Sequence, residues 1–127
     1  TLERGSNIKN LYNRFLNGYQ ILEKNVEFVH HDKFGYLTFS PTNIGTGLKI
    51  SIHVRLPKLA LNENRLKELC YTLGLSAREV TDQHHKADGD FIYDISNRSS
   101  VGQTEFELLN SVCLGVKKLL DEELSIN

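Results

Sequence analysis

The chain has 127 residues, of which 39% are hydrophobic and 24% charged, and its net charge is −1 with neutral histidines. That is one domain's worth of sequence, with enough apolar content for a core. The balanced charge, with no block of five like charges, gives no electrostatic case for nucleic acid or an acidic membrane surface as main partner. No apolar run approaches the roughly 18 residues of a membrane span.

In chain order, the first element is a helix from about Asn7 to Lys24. Ile8, Leu11, Tyr12, Phe15, Leu16, Tyr19 and Leu22 recur at the spacing of one helix face, and Ser6 is placed to cap it. Glu27 to His31 reads as a short strand, Asp32 and Lys33 as a turn, and Phe34 to Phe39 as a second strand. A polar loop, Ser40 to Gly47, separates that run from Leu48–Leu56. The latter alternates: Leu48, Ile50, Ile52, Val54 and Leu56 on one face, Lys49, Ser51, His53 and Arg55 on the other. Pro57 ends it. The two flanking runs are expected to pair as an antiparallel hairpin.

A second helix follows, capped by Asn62 or Asn64, with Leu66, Leu69, Cys70 and Leu73 inward and Gly74 at its C-terminal cap. Leu75 to Thr81 is weakly strand-like. Asp82 to Asp90 has almost no apolar content and reads as a loop. Phe91–Ile95 is a compact strand. Thr104, with Glu107 three residues on, opens the last helix as a capping box. Phe106, Leu109, Val112, Cys113, Val116, Leu119 and Leu120 form its apolar stripe. Helices and antiparallel strands in this order predict an α+β domain, an antiparallel sheet flanked by helices.

The first residues do not read as a signal peptide, because no apolar stretch follows them. The sequence contains no methionine, which fits a piece of a longer chain. Two cysteines make no disulfide framework; Cys70 and Cys113 read as inert thiols inside helices, in a reducing, cytoplasmic setting.

Taken alone, the pattern of Lys49, Ser51, His53 and Arg55 describes a solvated sheet face. The functional alternative is a surface for an anion, with two cations, a hydroxyl and a flat ring. The glycines of Asn43-Ile-Gly-Thr-Gly47 precede a strand rather than a helix, which fits a turn better than a phosphate loop. His30-His31 and His84-His85 are adjacent pairs, which on a strand point to opposite faces. No metal site is expected from them. The Asp82–Asp90 loop lacks the calcium pattern. Ser40 is a turn serine by its context, and no triad spacing is visible.

The stretch Phe28-Val-His-His-Asp-Lys-Phe-Gly-Tyr-Leu-Thr-Phe-Ser-Pro-Thr-Asn-Ile-Gly-Thr-Gly47 resembles a signature of the phosphagen kinases, the ATP:guanidino phosphotransferases. Ile52 to Ala60, Tyr93-Asp-Ile-Ser-Asn97 and Gly102-Gln-Thr-Glu-Phe106 continue the resemblance in the family's order, over nearly the whole chain. It is most like the arginine kinase branch. The resemblance implies reversible phosphoryl transfer from ATP to a guanidino compound, usually with Mg. It also implies a glutamine synthetase-like C-terminal catalytic domain with ATP or ADP lying on an antiparallel sheet. Residues 1–127 are then the later part of that domain. The N-terminal helical domain, the upstream phosphate-gripping arginines and the upstream glutamate are not in it, and this chain alone is not expected to be active.

Carried over by resemblance, His53 stands where the family packs a histidine near adenine, and Ser51 beside it. Arg78 matches the first arginine of the loop that closes over the phosphates, and Asp94 a position of the nucleotide pocket. Other positions depart from the family. Ser40 replaces the reactive cysteine, and a hydroxyl is no thiolate. Lys49 replaces a phosphate-binding arginine, keeping charge but not the bidentate fork. Thr81 replaces a second arginine and Gln83 the glutamate that orients substrate; Glu79 and Asp82 replace glycines. Phosphoryl transfer rests on positioning and positive charge, and these changes oppose both. Two readings stay open: part of a working guanidino kinase, or an inactive relative, a pseudokinase with structural or scaffolding protein partners.

Overall fold

The computed structural model describes residues 1–80 and 91–127. It divides into two units, residues 1–30 and 31–127.

The first unit is built on α1 (Ile8–Glu23). Its N-cap is Asn7, whose Oδ1 accepts the Asn10 amide at 3.1 Å, so the cap lies one residue after the expected Ser6. The three-and-four spacing of aromatics produces a ladder along the helix. Tyr12, Phe15, Tyr19 and then Phe28 follow with ring centroids 6.3, 6.5 and 5.6 Å apart. No α1 residue is buried, so the periodic stripe makes a helix without a core.

The runs read as long strands before residue 50 are mostly loop. The strand expected at Glu27–His31 is confined to β1 (His30–His31), and that at Phe34–Phe39 to β2 (Gly35–Tyr36). Local turn chemistry overrides β-propensity here. The His31 Nδ1 accepts the backbone amides of Lys33 and Phe34 at 3.1 and 3.3 Å. The Thr38 hydroxyl donates to the Ser40 carbonyl at 2.7 Å, and Pro41 starts a short 3-10 turn, Pro41–Asn43. The chain returns at Gly45, which exchanges both backbone hydrogen bonds with Tyr36 at 2.8 and 3.2 Å. Gly45 has φ +113°, and a Cβ there would lie 2.3 Å from the Ser100 carbonyl oxygen. Only glycine fits.

The main sheet contains β3 (Ser51–Arg55), β4 (Leu75–Glu79) and β5 (Ile92–Asn97), in the order β3-β5-β4, all antiparallel. The expected hairpin between Phe34–Phe39 and Leu48–Leu56 is therefore corrected: the partner of β3 is β5, some 40 residues on. Proximity in sequence lost to burial. Tyr93, Asp94, Ile95 and Ser96 are all buried, as befits a central strand, whereas β3 lies on an edge.

One face of the sheet carries α2 (Glu63–Thr72) and α3 (Glu105–Ser125). Asn62 caps α2 through its Oδ1 to the Arg65 amide at 3.2 Å, and Gly74 follows the helix at φ +70°. The expected capping box at Thr104 and Glu107 is complete. The core unites Leu56, Leu59, Leu66, Cys70, Leu75, Tyr93, Ile95, Val112, Val116 and Leu119. Leu75 packs so close to Gly115 that a Cβ would lie 2.6 Å from it.

The stripe of α3 differs from the expected one. Leu108, Val112, Val116, Leu119 and Glu123 face inward, while Phe106 is 75% exposed. A buried glutamate at the end of an apolar stripe has a physical reason. Its two oxygens accept the Lys58 and Leu59 amides at 2.8 Å each, at the start of the 3-10 turn Leu59–Asn62. These backbone donors have no intrahelical partner, and a carboxylate is the strongest group to supply one.

Candidate functional site

The face of the sheet opposite the helices is polar, and the register assembles it in rows. His53 pairs with Asp94, and Asp94 with Arg78. One step along, Ser51 pairs with Ser96, and Ser96 with Ser76. Alternation places Ile52, Ile95 and Ala77 on the other side, toward the core. The same five-residue strand thus builds a core with one set of side chains and presents a polar row with the other.

Asp94 is the centre of this face. Its side chain is 12% exposed, flanked by His53 on one strand and Arg78 on the other. The Arg78 guanidinium reaches one carboxylate oxygen at 3.5 Å but is itself 80% exposed. The other oxygen, Oδ1, is buried and has no hydrogen-bond partner among the described residues. A buried polar atom without a partner is uncommon and calls for an explanation. His53 and Ser51 are exposed along the same edge strand, and Lys49 is exposed two residues before Ser51.

Ser40 lies elsewhere, in the loop closed by Tyr36 and Gly45. It is half-buried, and its hydroxyl lies 2.9 Å from that of Thr42. The loop is joined to the β5 end of the sheet where the Thr46 amide donates to the Ser100 carbonyl at 3.1 Å. Thr81 and Gln83 lie outside the described residues, as do Asp82, His84 and His85. Of the residues singled out in sequence, His53, Arg78 and Asp94 are brought into one row, and Ser51 borders it.

Other polar residues of this face escaped the sequence reading. Ser76 and Ser96 join it only once the register of β5 against two strands is known. The signal was the alternation of Asp94 and Ser96 within Tyr93-Asp-Ile-Ser-Asn97, two polar residues on one face of a buried strand.

Neither thiol is poised for chemistry. Burial pushes the Cys70 pKa up to about 11 and raises that of Cys113 as well. Among the described residues no group of three His, Cys, Asp or Glu side chains converges on a metal position. No helix there is long and apolar enough to cross a membrane.

Residues 1–126 match the family model of the ATP:guanido phosphotransferase C-terminal catalytic domain. The chain belongs to this family. Arginine kinase from Artemia franciscana is 39% identical over 98% of the chain, and that from Homarus gammarus 38% identical over 97%. The chain spans about a third of these relatives, 35% and 34% of their lengths. Among solved structures, the duplicated taurocyamine kinase of Schistosoma mansoni in its substrate-free form superposes with a TM-score of 0.85. It is 34% identical over 96% of this chain and 17% of its own. Lombricine kinase gives a TM-score of 0.79 at 32% identity, over 98% of this chain and 35% of that one. An α+β domain of the phosphagen kinase C-terminal type, similar to arginine kinase, is thereby established for this chain.

Proposed function

We propose that residues 1–127 are the later part of the nucleotide-binding catalytic domain of a cytoplasmic ATP:guanidino phosphotransferase. The polar sheet face would receive ATP or ADP. The observation that carries this reading is the row His53–Asp94–Arg78 with one buried carboxylate oxygen unpaired among the described residues. Such an oxygen suits a site completed by a ligand or by the water and Mg²⁺ that accompany one. Mg²⁺ is commonly held by substrate phosphates and one or two carboxylates rather than by a protein cage, and Asp94 fits that role. Lys49 and Arg78 would supply charge to the phosphates, His53 a flat ring toward the base, and Ser51 a hydroxyl.

Catalysis would need the upstream part of the domain, so this chain alone would bind weakly and turn nothing over. The relatives are named for different compounds, arginine, taurocyamine and lombricine, and the guanidino substrate stays a class. A second reading, an inactive relative with a structural or scaffolding role among protein partners, draws on Ser40 and Lys49. Ser40 offers a hydroxyl already beside Thr42, and Lys49 a point charge without a fork. Assay of the full-length protein with MgATP and each of the three compounds separates these. Turnover supports the first reading. Tight ADP binding without turnover supports the second with a retained nucleotide site. Absence of ADP binding overturns the assignment of the sheet face.

A further inference from the structure

The ladder between β3 and β5 stops at Ser51 and Ser96, so the backbone on either side of Lys49 has no strand partner. It is held instead by side chains, chiefly that of Asn97. The Asn97 Oδ1 accepts the Ile50 amide at 2.8 Å, and its Nδ2 donates to the Leu48 carbonyl at 3.2 Å. The primary amide thus bonds the residues before and after Lys49, as the peptide of a parallel strand does around the residue it faces. Asn97 is the last residue of β5 and lies opposite Leu75 of β4.

Ser100 completes the clasp. Its hydroxyl, on a residue only 1% exposed, donates to the Leu48 carbonyl at 2.9 Å and accepts from the Asn97 Nδ2 at 3.3 Å. Nδ2 also faces the Ser99 carbonyl at 3.3 Å. An oxygen facing an N–H and a nitrogen facing three oxygens fix the orientation of the amide. Lys49 itself is exposed. A long, flexible side chain is thus planted on a backbone held at both neighbouring residues.

We propose that Asn97, assisted by Ser100, is a positioning residue for Lys49, setting the backbone from which that lysine reaches the nucleotide phosphates. The inference rests on the reading of Lys49 as a phosphate contact given above. A lysine lacks the planar fork of an arginine, so the placement of its backbone decides more of its aim.

The test is a double-mutant cycle in the full-length protein, with ADP affinity measured by calorimetry. Asn97→Asp keeps the acceptor for Ile50 and turns the donor toward Leu48 into a repelling oxygen. Loss of a charged phosphate contact and loss of its aim are each expected to weaken ADP about tenfold in Lys49→Ala and Asn97→Asp. The double variant should be no weaker than Lys49→Ala, because Asn97 acts through the lysine. Multiplicative losses in the double variant, or an Asn97→Asp protein within twofold of the parent, overturn the positioning role. If Lys49→Ala leaves ADP affinity unchanged, the phosphate reading of Lys49 fails, and this inference with it. Should Asn97→Asp not fold, Ser100→Ala removes one bond to Leu48. It is expected to weaken ADP about threefold, and not at all in the Lys49→Ala background; a Ser100→Ala protein with unchanged affinity overturns the proposal.

Discussion

Replacing Asp94 by Asn separates what this residue does for the fold from what it does for a ligand. The ion pair with Arg78 spans 3.5 Å, but the guanidinium is 80% exposed. At that distance Coulomb attraction is about 1 kcal/mol in a water-like dielectric, and solvent screening with the entropy of an exposed arginine reduces it further. Against this stands the carboxylate oxygen that is buried with no partner among the described residues, and an unsatisfied group of that kind costs about 1–3 kcal/mol, more when charged. The penalty wins. Neutralising the side chain at constant shape should therefore raise the stability of the ligand-free protein by about 1 kcal/mol, since a neutral amide is cheaper to bury than a charge. The same change should weaken MgADP by tenfold or more if Asp94 serves the nucleotide and its metal. Urea denaturation with and without MgADP reads both quantities. A ligand-free Asp94→Asn protein less stable than the parent by more than about 1 kcal/mol would refute the reasoning, because the carboxylate would then be a structural group.

Glu123→Gln leaves one oxygen for the two amides of Lys58 and Leu59 and sets an N–H against the other. A loss of about 1.5–3 kcal/mol in urea denaturation is expected, and a change under 0.5 kcal/mol would deny the carboxylate its anchoring role. Gly45→Ala should lose about 2 kcal/mol or more by the same measurement, since φ is +113° and the new methyl meets the Ser100 carbonyl; a neutral effect would mean the loop closes differently. Cys70 should resist alkylation at pH 8 in the native protein, and rapid labelling would contradict its burial. Its raised pKa also sets a sign for alkaline stability. The unfolded thiol ionises near pH 9 and the folded one near about 11. The contribution is full below pH 9 and is lost as pH rises toward 11, and Cys70→Ser should flatten that part of the profile.

The parts of the fold legible in sequence were those with local causes. The capping box at Thr104 and Glu107, the Asn62 cap and the Gly74 stop follow from side-chain hydrogen bonds within a few residues. The alternation of β3 named its two faces correctly: Ile52 and Val54 pack against the core while Ser51, His53 and Arg55 are exposed. What failed depended on distant partners. Phe34–Phe39 has the apolar content of a strand, but Thr38 and Pro41 bend the chain within it and Gly45 closes the loop. The stripe of α3 was right at Val112, Val116 and Leu119 and missed Leu108 and Glu123; only the amides of Lys58 and Leu59 explain an acid there. The candidate site could be written from the sequence as a list of residues, largely through a family resemblance, but not as an arrangement. Nothing in the spacing of His53, Arg78 and Asp94 shows that they share a row. That follows from β5 lying between β3 and β4.

The division of labour across the sheet bears on which side chains can vary, Ser40 and Lys49 among them. The residues that stabilise the domain, Ile95, Leu75, Tyr93 and Val116 among them, lie in the core cluster. Lys49 is exposed, and its backbone is secured by Asn97 whatever side chain it carries. Ser40 sits in a loop closed by Tyr36, Gly45 and Ser100, and the contacts that close it are backbone hydrogen bonds. A change of side chain at Lys49 would therefore alter the polar face, and one at Ser40 its loop, while leaving the folding contacts in place. Similarity to the arginine kinases over nearly the whole chain therefore says little about turnover. The discriminating quantities are those read at the polar face itself, the affinity for MgADP and its dependence on Lys49 and Asp94.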